Sequence, residues 1–224
     1  MPAYICKADP GAFEFQLETT ALLIVDMQRD FLEKGGFGDL MGYDITRMEG
    51  VIRQCRLALQ AAREAGMFIV HTREGFRPDL TDAAPIKLTR IYNDIGVGDR
   101  GPLGRVLVRG EPGHDIIPEL YPRPGEPVID KVGHGAFYAT DLELIFKNQG
   151  IKSLIICGVV TEVCVHSTLR EAKDHGYACL VLEDCVGSYS EEFHRVSIDI
   201  VKTQGGLFGK VSSLAELLRA LDDA

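Results

Sequence analysis

The sequence is short of positive charge, of long apolar runs and of closely spaced cysteines, and each shortage removes a class of function. Its 224 residues carry 24 Lys and Arg against 33 Asp and Glu, a formal charge of −9. A phosphate backbone is bound through basic patches that release counterions, so nucleic acid is not an expected partner. The same balance disfavours anionic membrane surfaces. No apolar run approaches the roughly 18 residues that span a bilayer. The opening MPAYICKADPGAFEF lacks the basic-then-apolar order of a secretion signal. The six cysteines (Cys6, Cys55, Cys157, Cys164, Cys179, Cys185) are scattered without a CxxC. A chain of this length buries a sizeable core without staples, so reduced thiols and a cytoplasmic location are expected.

What remains is an ordinary globular balance, 46% apolar and 25% charged, organised as one domain over residues 1–224. Short apolar runs of the buried parallel type occur at 21–26 (ALLIVD), 67–72 (MFIVHT), 127–131 (PVIDK), 153–158 (SLIICG) and 178–184 (ACLVLED). Helical patterns separate them. One starts at Asp44 as N-cap and stops at Gly66; a second has Thr140 and Glu143 as a capping box and ends at Gly150. A third carries Cys164 and ends at Gly176. Two more, over 191–203 and 214–222, close the chain, the last with Ser213 and Glu216 as a capping box. Alternation of this kind predicts a three-layer α/β/α sandwich around a mostly parallel sheet, Rossmann-like; six strands are expected, one more than the five runs that can be read. Ligands of such sheets sit beyond the carboxyl ends of the strands. That rule nominates Asp26, His71, Lys131, the 158–164 segment and Asp184. Residues 73–126 break the rhythm; a connection this long is usually functional or an interface arm.

The stretch GVVTEVCVHSTLREAKDHG (158–176) runs from a strand exit into a helix, with Cys164 at the join. Cysteine there is either a core thiol or a nucleophile favoured by the helix N-terminus, whose N–H groups could also hold an oxyanion. A nucleophile needs a proton acceptor. His166 is two residues away and points to another side of a helix, so it is a packing or subunit-contact residue. Asp26, at the end of a buried strand, is a loop cap or a partly desolvated base. Lys131, at another strand end, is a solvated surface group or the cation that holds a thiolate. Three unlike groups at three strand exits favour a site. His71 and His114 are too isolated to propose as metal ligands.

The segments LLIVDMQRDF, IDKVGHGAFYATDLE and IICGVVTEVCVHSTLREAKDHGY resemble the signatures of the isochorismatase-like cysteine hydrolase superfamily. The resemblance covers nearly the whole chain. It implies a catalytic triad of Asp26, Lys131 and Cys164. It also implies a non-proline cis peptide between Val159 and Val160, with the N–H groups of Val160 and Cys164 as oxyanion hole. Nicotinamidases of this superfamily carry an Asp-x-His metal motif and a DWH sequence; neither is present, so no metal and no cofactor are expected. MGYD, HTREGFRPDL, GEPGHDIIPELYP and KTQGGLFG resemble the biuret and triuret hydrolase branch, although biuret-type enzymes tend to have lysine where His134 stands. The implied activity is release of ammonia from a small linear ureide through a thioester. Ureidoacrylate or N-carbamoylsarcosine hydrolysis is the alternative within the superfamily, and a non-catalytic binding module the alternative outside it. For a planar ureide, Phe31 and Phe137 could sandwich the plane, or both could be ordinary core. His134 and Gln204 would supply polar contacts, Gln204 because it precedes the glycine-rich GGLFG. The superfamily usually forms dimers or tetramers, so a homo-oligomer is expected.

Overall fold

A computed structural model describes residues 3–223. Six strands form one fully parallel sheet: β1 (Thr20–Val25), β2 (Phe68–Glu74), β3 (Val128–Lys131), β4 (Ser153–Val159), β5 (Ala178–Gly187) and β6 (Lys210–Ser212). Their spatial order is β3-β2-β1-β4-β5-β6, so the order reverses between β1 and β4. Five helices cover the faces: α1 (Glu49–Ala65), α2 (Leu142–Asn148), α3 (His166–Asp174), α4 (Glu191–Gly206) and α5 (Leu214–Asp222).

Side-chain alternation along the strands explains why both faces must be covered. On β1, Leu22 and Ile24 pack with Cys55, Leu59 and Leu217 of α1 and α5. Ala21, Leu23 and Val25 point the other way, to Leu142, Phe146, Leu169 and Ile198 of α2, α3 and α4. The expected sandwich is therefore present. All six cysteines are unpaired and buried in it. No helix among the described residues is long and apolar enough to cross a membrane.

The local differences from expectation have physical causes. Asp44 caps as expected, accepting from Thr46 N at 3.1 Å, but the first turn (Ile45–Met48) is 3-10 and the α-helix starts at Glu49. Thr140 and Glu143 form no capping box. Thr140 Oγ1 accepts from Leu142 N and donates to Ala136 O, while Glu143 turns to Lys147 and His175. Ser213 does accept from Glu216 N at 3.4 Å. An N-terminal hairpin (Tyr4–Cys6 with Phe13–Phe15) was not expected; three-residue strands are too short to show a period. Residues 75–127 fold back over the carboxyl ends of the strands, burying Phe76, Leu107, Ile117 and Leu120.

Gly158 shows how tightly the switch point is packed. Its φ is +116°, and a Cβ there would lie 2.1 Å from the Val25 carbonyl oxygen. Gly150, at the end of α2, has φ +68° but open space around it. Gly150→Ala is expected to cost about 1 kcal/mol from backbone strain alone. Gly158→Ala is expected to cost about 2 kcal/mol or more, because strain and clash add. Urea melts of the two variants check this; equal losses would mean that the Val25 contact does not limit the site.

Candidate active site

Four adjacent strands each send one group into the same place. Asp26 follows β1, Glu74 ends β2, Lys131 ends β3, and Cys164 stands in the first turn after β4. This is the carboxyl side of the β1/β4 switch point, where open parallel sheets leave a crevice. Asp26 has φ +50°, a left-handed conformation that Asp tolerates, so the strand stops there. Its backbone N–H donates to Thr72 Oγ1, and the same hydroxyl donates to Asp26 Oδ1 at 2.6 Å. Glu74 and Lys131 are register partners across β2 and β3.

Lys131 is fully buried. Its Nζ lies 2.8 Å from Asp26 Oδ2 and 3.7 Å from Glu74 Oε2, and it donates to Gly133 O at 3.0 Å. Burial opposes its charge, but Asp26, the Cys164 thiol and Glu74 outweigh burial and push its pKa up. Cys164 Sγ donates to Glu74 Oε2 at 3.2 Å. Burial is the main influence on the thiol and carries its pKa well above the ordinary value, against the pull of Lys131. The two carboxylates are driven apart. Burial outweighs Lys131 at Asp26 and leaves its pKa raised. Glu74 feels burial too, but Lys131, His134 and Lys87 together hold it well below the usual carboxylate range.

The Val159–Val160 peptide is cis, as the resemblance implied. Thr161–Val165 forms a wide π-type turn in which Val165 N donates back to Val160 O, and this turn carries Cys164 into the crevice. Wide turns of this type recur at functional sites.

A cavity of about 200 Å³ leads to Cys164. Phe31 and His134 line it, as expected; His134 Nδ1 lies 3.4 Å from Glu74 Oε2. Phe137 does not. Its ring packs against Phe146, His175 and Tyr177 in the core on the α2–α3 side. Gln204 does not either. It is exposed, with φ +51°, at a non-helical kink near the end of α4 that leads toward β6. A turn that leads from a helix into a parallel strand lies at the amino ends of the strands, opposite the crevice. His166 stays out of the site, accepting from Arg170 Nε at 3.0 Å and meeting Phe208 edge-on. His71 is buried inside β2 against Glu126, and Asp184 Oδ1 accepts from Leu214 N at the start of α5.

Glu74 is the residue that sequence reading missed. The strand read as 67–72 runs two residues further, and the strand-exit rule applied to its true end nominates Glu74. The wall opposite Cys164 was also missed. Tyr43 stacks on Tyr189 with ring centroids 4.6 Å apart and on Tyr92 at 6.0 Å. Lys87, which donates to Glu74 Oε1 and Val132 O, and Arg90 come from the 75–127 segment. Nothing periodic in the sequence marks these residues. Glu74, His134 and Cys164 also place a carboxylate oxygen, a ring nitrogen and a sulfur within 4.8 Å of one another.

The isochorismatase domain model matches residues 20–216 of the chain. The ureidoacrylate amidohydrolase of Pantoea ananatis is 31% identical over 229 residues, covering 97% of this chain and 88% of that one. Among solved structures, a cysteine hydrolase from Pseudomonas syringae pv. phaseolicola has a TM-score of 0.79 at 22% identity, a likeness of fold over 100% of this chain and 98% of that one. A structure described as a hydrolase of the isochorismatase family, from Chromobacterium violaceum, is 26% identical with a TM-score of 0.71 and both chains fully covered. With the sheet order, the cysteine at the switch point and a family match over most of the sequence, the chain belongs to the isochorismatase family of cysteine hydrolases.

Proposed function

We propose that this protein is an amidohydrolase of small ureido acids, cleaving the bond between a carbamoyl carbon and a substituted nitrogen. The observation that carries the substrate class is the cavity wall. It is aromatic and apolar (Phe31, Phe37, Tyr43, Tyr92, Leu107, Tyr189), with Arg90 exposed at its rim beside Tyr43. Arg90 forms no ion pair among the described residues. A bare ureide such as biuret or triuret needs a dense set of polar partners, and two of the four residues expected to read it, Phe137 and Gln204, lie outside the cavity. A flat unsaturated body with a carboxylate end suits an aromatic slot closed by a guanidinium. The similarity to a ureidoacrylate amidohydrolase supports the same class.

Chemistry follows from the divided carboxylates, since groups whose environments push their pKa values apart take different roles. Asp26, the more basic, takes the thiol proton, and Lys131 stabilises the thiolate. Glu74 stays ionised, orients the thiol and anchors Lys131. The thiolate attacks the carbamoyl carbon, and the oxyanion is received by the N–H groups of Val160 and Cys164. The tetrahedral adduct breaks its C–N bond, and the amine leaves with the proton from Asp26. Asp26 then deprotonates a water that cleaves the S-carbamoyl group to carbamate and restores the thiol.

Cys164→Ser is expected to abolish turnover with folding retained, and iodoacetamide is expected to label Cys164 before Cys157, Cys179 or Cys185. Asp26→Asn should lower kcat roughly 100- to 10,000-fold, the range of a lost general base. Glu74→Gln, which keeps shape and loses charge, should cost less. Residual activity of Cys164→Ser, or a larger loss at Glu74 than at Asp26, would overturn these roles.

Substrate class is read by ammonia release, because carbamate decomposes to ammonia and bicarbonate. Ureidoacrylate and related ureido acids should exceed biuret, triuret and nicotinamide in kcat/KM by about tenfold or more, the size of one charged hydrogen bond. Arg90→Met should raise KM for the ureido acids and leave biuret unaffected. Biuret or triuret as best substrate, with Arg90→Met indifferent, would restore the bare-ureide reading.

A further inference from the structure

The geometry points to a zinc site on the nucleophile itself: Cys164 Sγ, Glu74 Oε2 and His134 Nδ1 form a three-donor face that binds Zn²⁺ and reversibly caps the thiol. This deepens the preceding reading, because its consequence, inhibition, rests on Cys164 being the nucleophile. The binding does not.

Two of the three donor edges fit, and the third, Cys164 Sγ to His134 Nδ1, lies within 4.8 Å. Zinc bonds of about 2.3 Å to sulfur and 2.0–2.2 Å to nitrogen or oxygen give tetrahedral edges of roughly 3.3–3.6 Å. Sulfur stands 3.2 Å from Glu74 Oε2, and His134 Nδ1 stands 3.4 Å from the same oxygen. The carboxylate is already aimed. Lys87 holds the other oxygen, Oε1, at 3.2 Å, which turns Oε2 toward the thiol and the imidazole. Two of the donors are fixed by burial, whereas His134 is 40% exposed at the mouth, so an ion enters past it and a water completes the fourth position.

Charge fits as well. A thiolate, a carboxylate and a neutral imidazole balance Zn²⁺, and the thiol proton is released to solvent as the S–Zn bond forms. Lys131 keeps its closer partner, Asp26 at 2.8 Å, when Glu74 turns to the metal. A sulfur and an imidazole select zinc or cadmium over magnesium or calcium, which prefer oxygen. The Asp-x-His motif of nicotinamidases, which this chain lacks, has no part in this. The proposed site inhibits and is not a cofactor site.

The test uses the intact protein with Zn²⁺, Cd²⁺ and Mg²⁺ as probes. Calorimetry should find one Zn²⁺ per chain and no Mg²⁺, and Cd²⁺ should give a thiolate charge-transfer band that Cys164→Ser lacks. His134→Ala, at a half-exposed position that tolerates truncation, should weaken Zn²⁺ at least about tenfold, as even disturbed ligand partners do; Glu74→Gln should do the same. Zinc should slow iodoacetamide labelling of Cys164, and EDTA should restore it. Wild-type zinc affinity in His134→Ala, or no stoichiometric binding, overturns the proposal while leaving the nucleophile assignment intact. Zinc bound at all three donors without loss of turnover overturns the inhibition and the role of Cys164 together.

Discussion

A single buried ammonium holds this site together. Lys131 has no exposed surface, and a lysine charge taken out of water is tolerated only when it is paired and hydrogen-bonded. Asp26, Glu74 and the Gly133 carbonyl supply that pairing, and each arrives from a different part of the chain. The pairing therefore ties the ends of β1, β2 and β3 to one another. Cys164 joins from β4 through Glu74. A one-residue slip of β3 against β2 would turn Lys131 to the opposite face and leave two carboxylates buried without their cation. Fold and chemistry share this constraint.

How much of this was legible in the sequence depends on period. Buried parallel strands announce themselves as apolar runs, so the sheet, the switch-point logic and the positions of Asp26, Lys131 and Cys164 could all be read. Glu74 was lost by ending a strand at Thr72, two residues early; an arginine and a glutamate do not extend an apolar run. Gln204 was misplaced because a glycine-rich turn was read without asking which end of the sheet it occupies. It follows a helix, so it lies at the amino ends of the strands. Phe137 was read as an aromatic beside the motifs that could face a planar ligand or be ordinary core, and the 132–140 loop turns its ring into the core. The tyrosine wall could not be read at all. Tyr43, Tyr92 and Tyr189 come from three loops, and only folding stacks them.

The 75–127 segment supplies one part of the cavity lining. It packs on the sheet through Phe76, Leu107 and Ile117, and its backbone is pinned by Gln28, which donates to Glu74 O and His114 O at 2.9 Å. Asp30 fixes the other side by accepting from Leu107 N at 2.9 Å. Burial pushes the Asp30 carboxyl up to about 6. These anchors hold Leu107 against the cavity, which Lys87, Arg90 and Tyr92 of the same segment also line. On the proposed reading, part of the specificity comes from a segment whose sequence is irregular because it packs as a loop.

Distance alone misorders the two carboxylates. Asp26 is the closer to Lys131, 2.8 Å against 3.7 Å, yet Asp26 is the one whose pKa rises while that of Glu74 falls. The difference lies in what else each touches. Asp26 has only Thr72 and Lys131 to set against complete burial, so desolvation prevails. Glu74 has His134 and Lys87 as well, and both belong to the rim of the cavity. The basicity of Asp26 is therefore set mainly by depth within the sheet, whereas the ionisation of Glu74 is set also by residues that line the cavity. A substrate that draws Lys87 or His134 toward itself loosens Glu74's hold on its proton-free state and on the thiol. Asp26 feels that change too, because the charge of Glu74 is one of the influences that raise its pKa. Glu74 thus touches both the cavity and the Cys164 thiol.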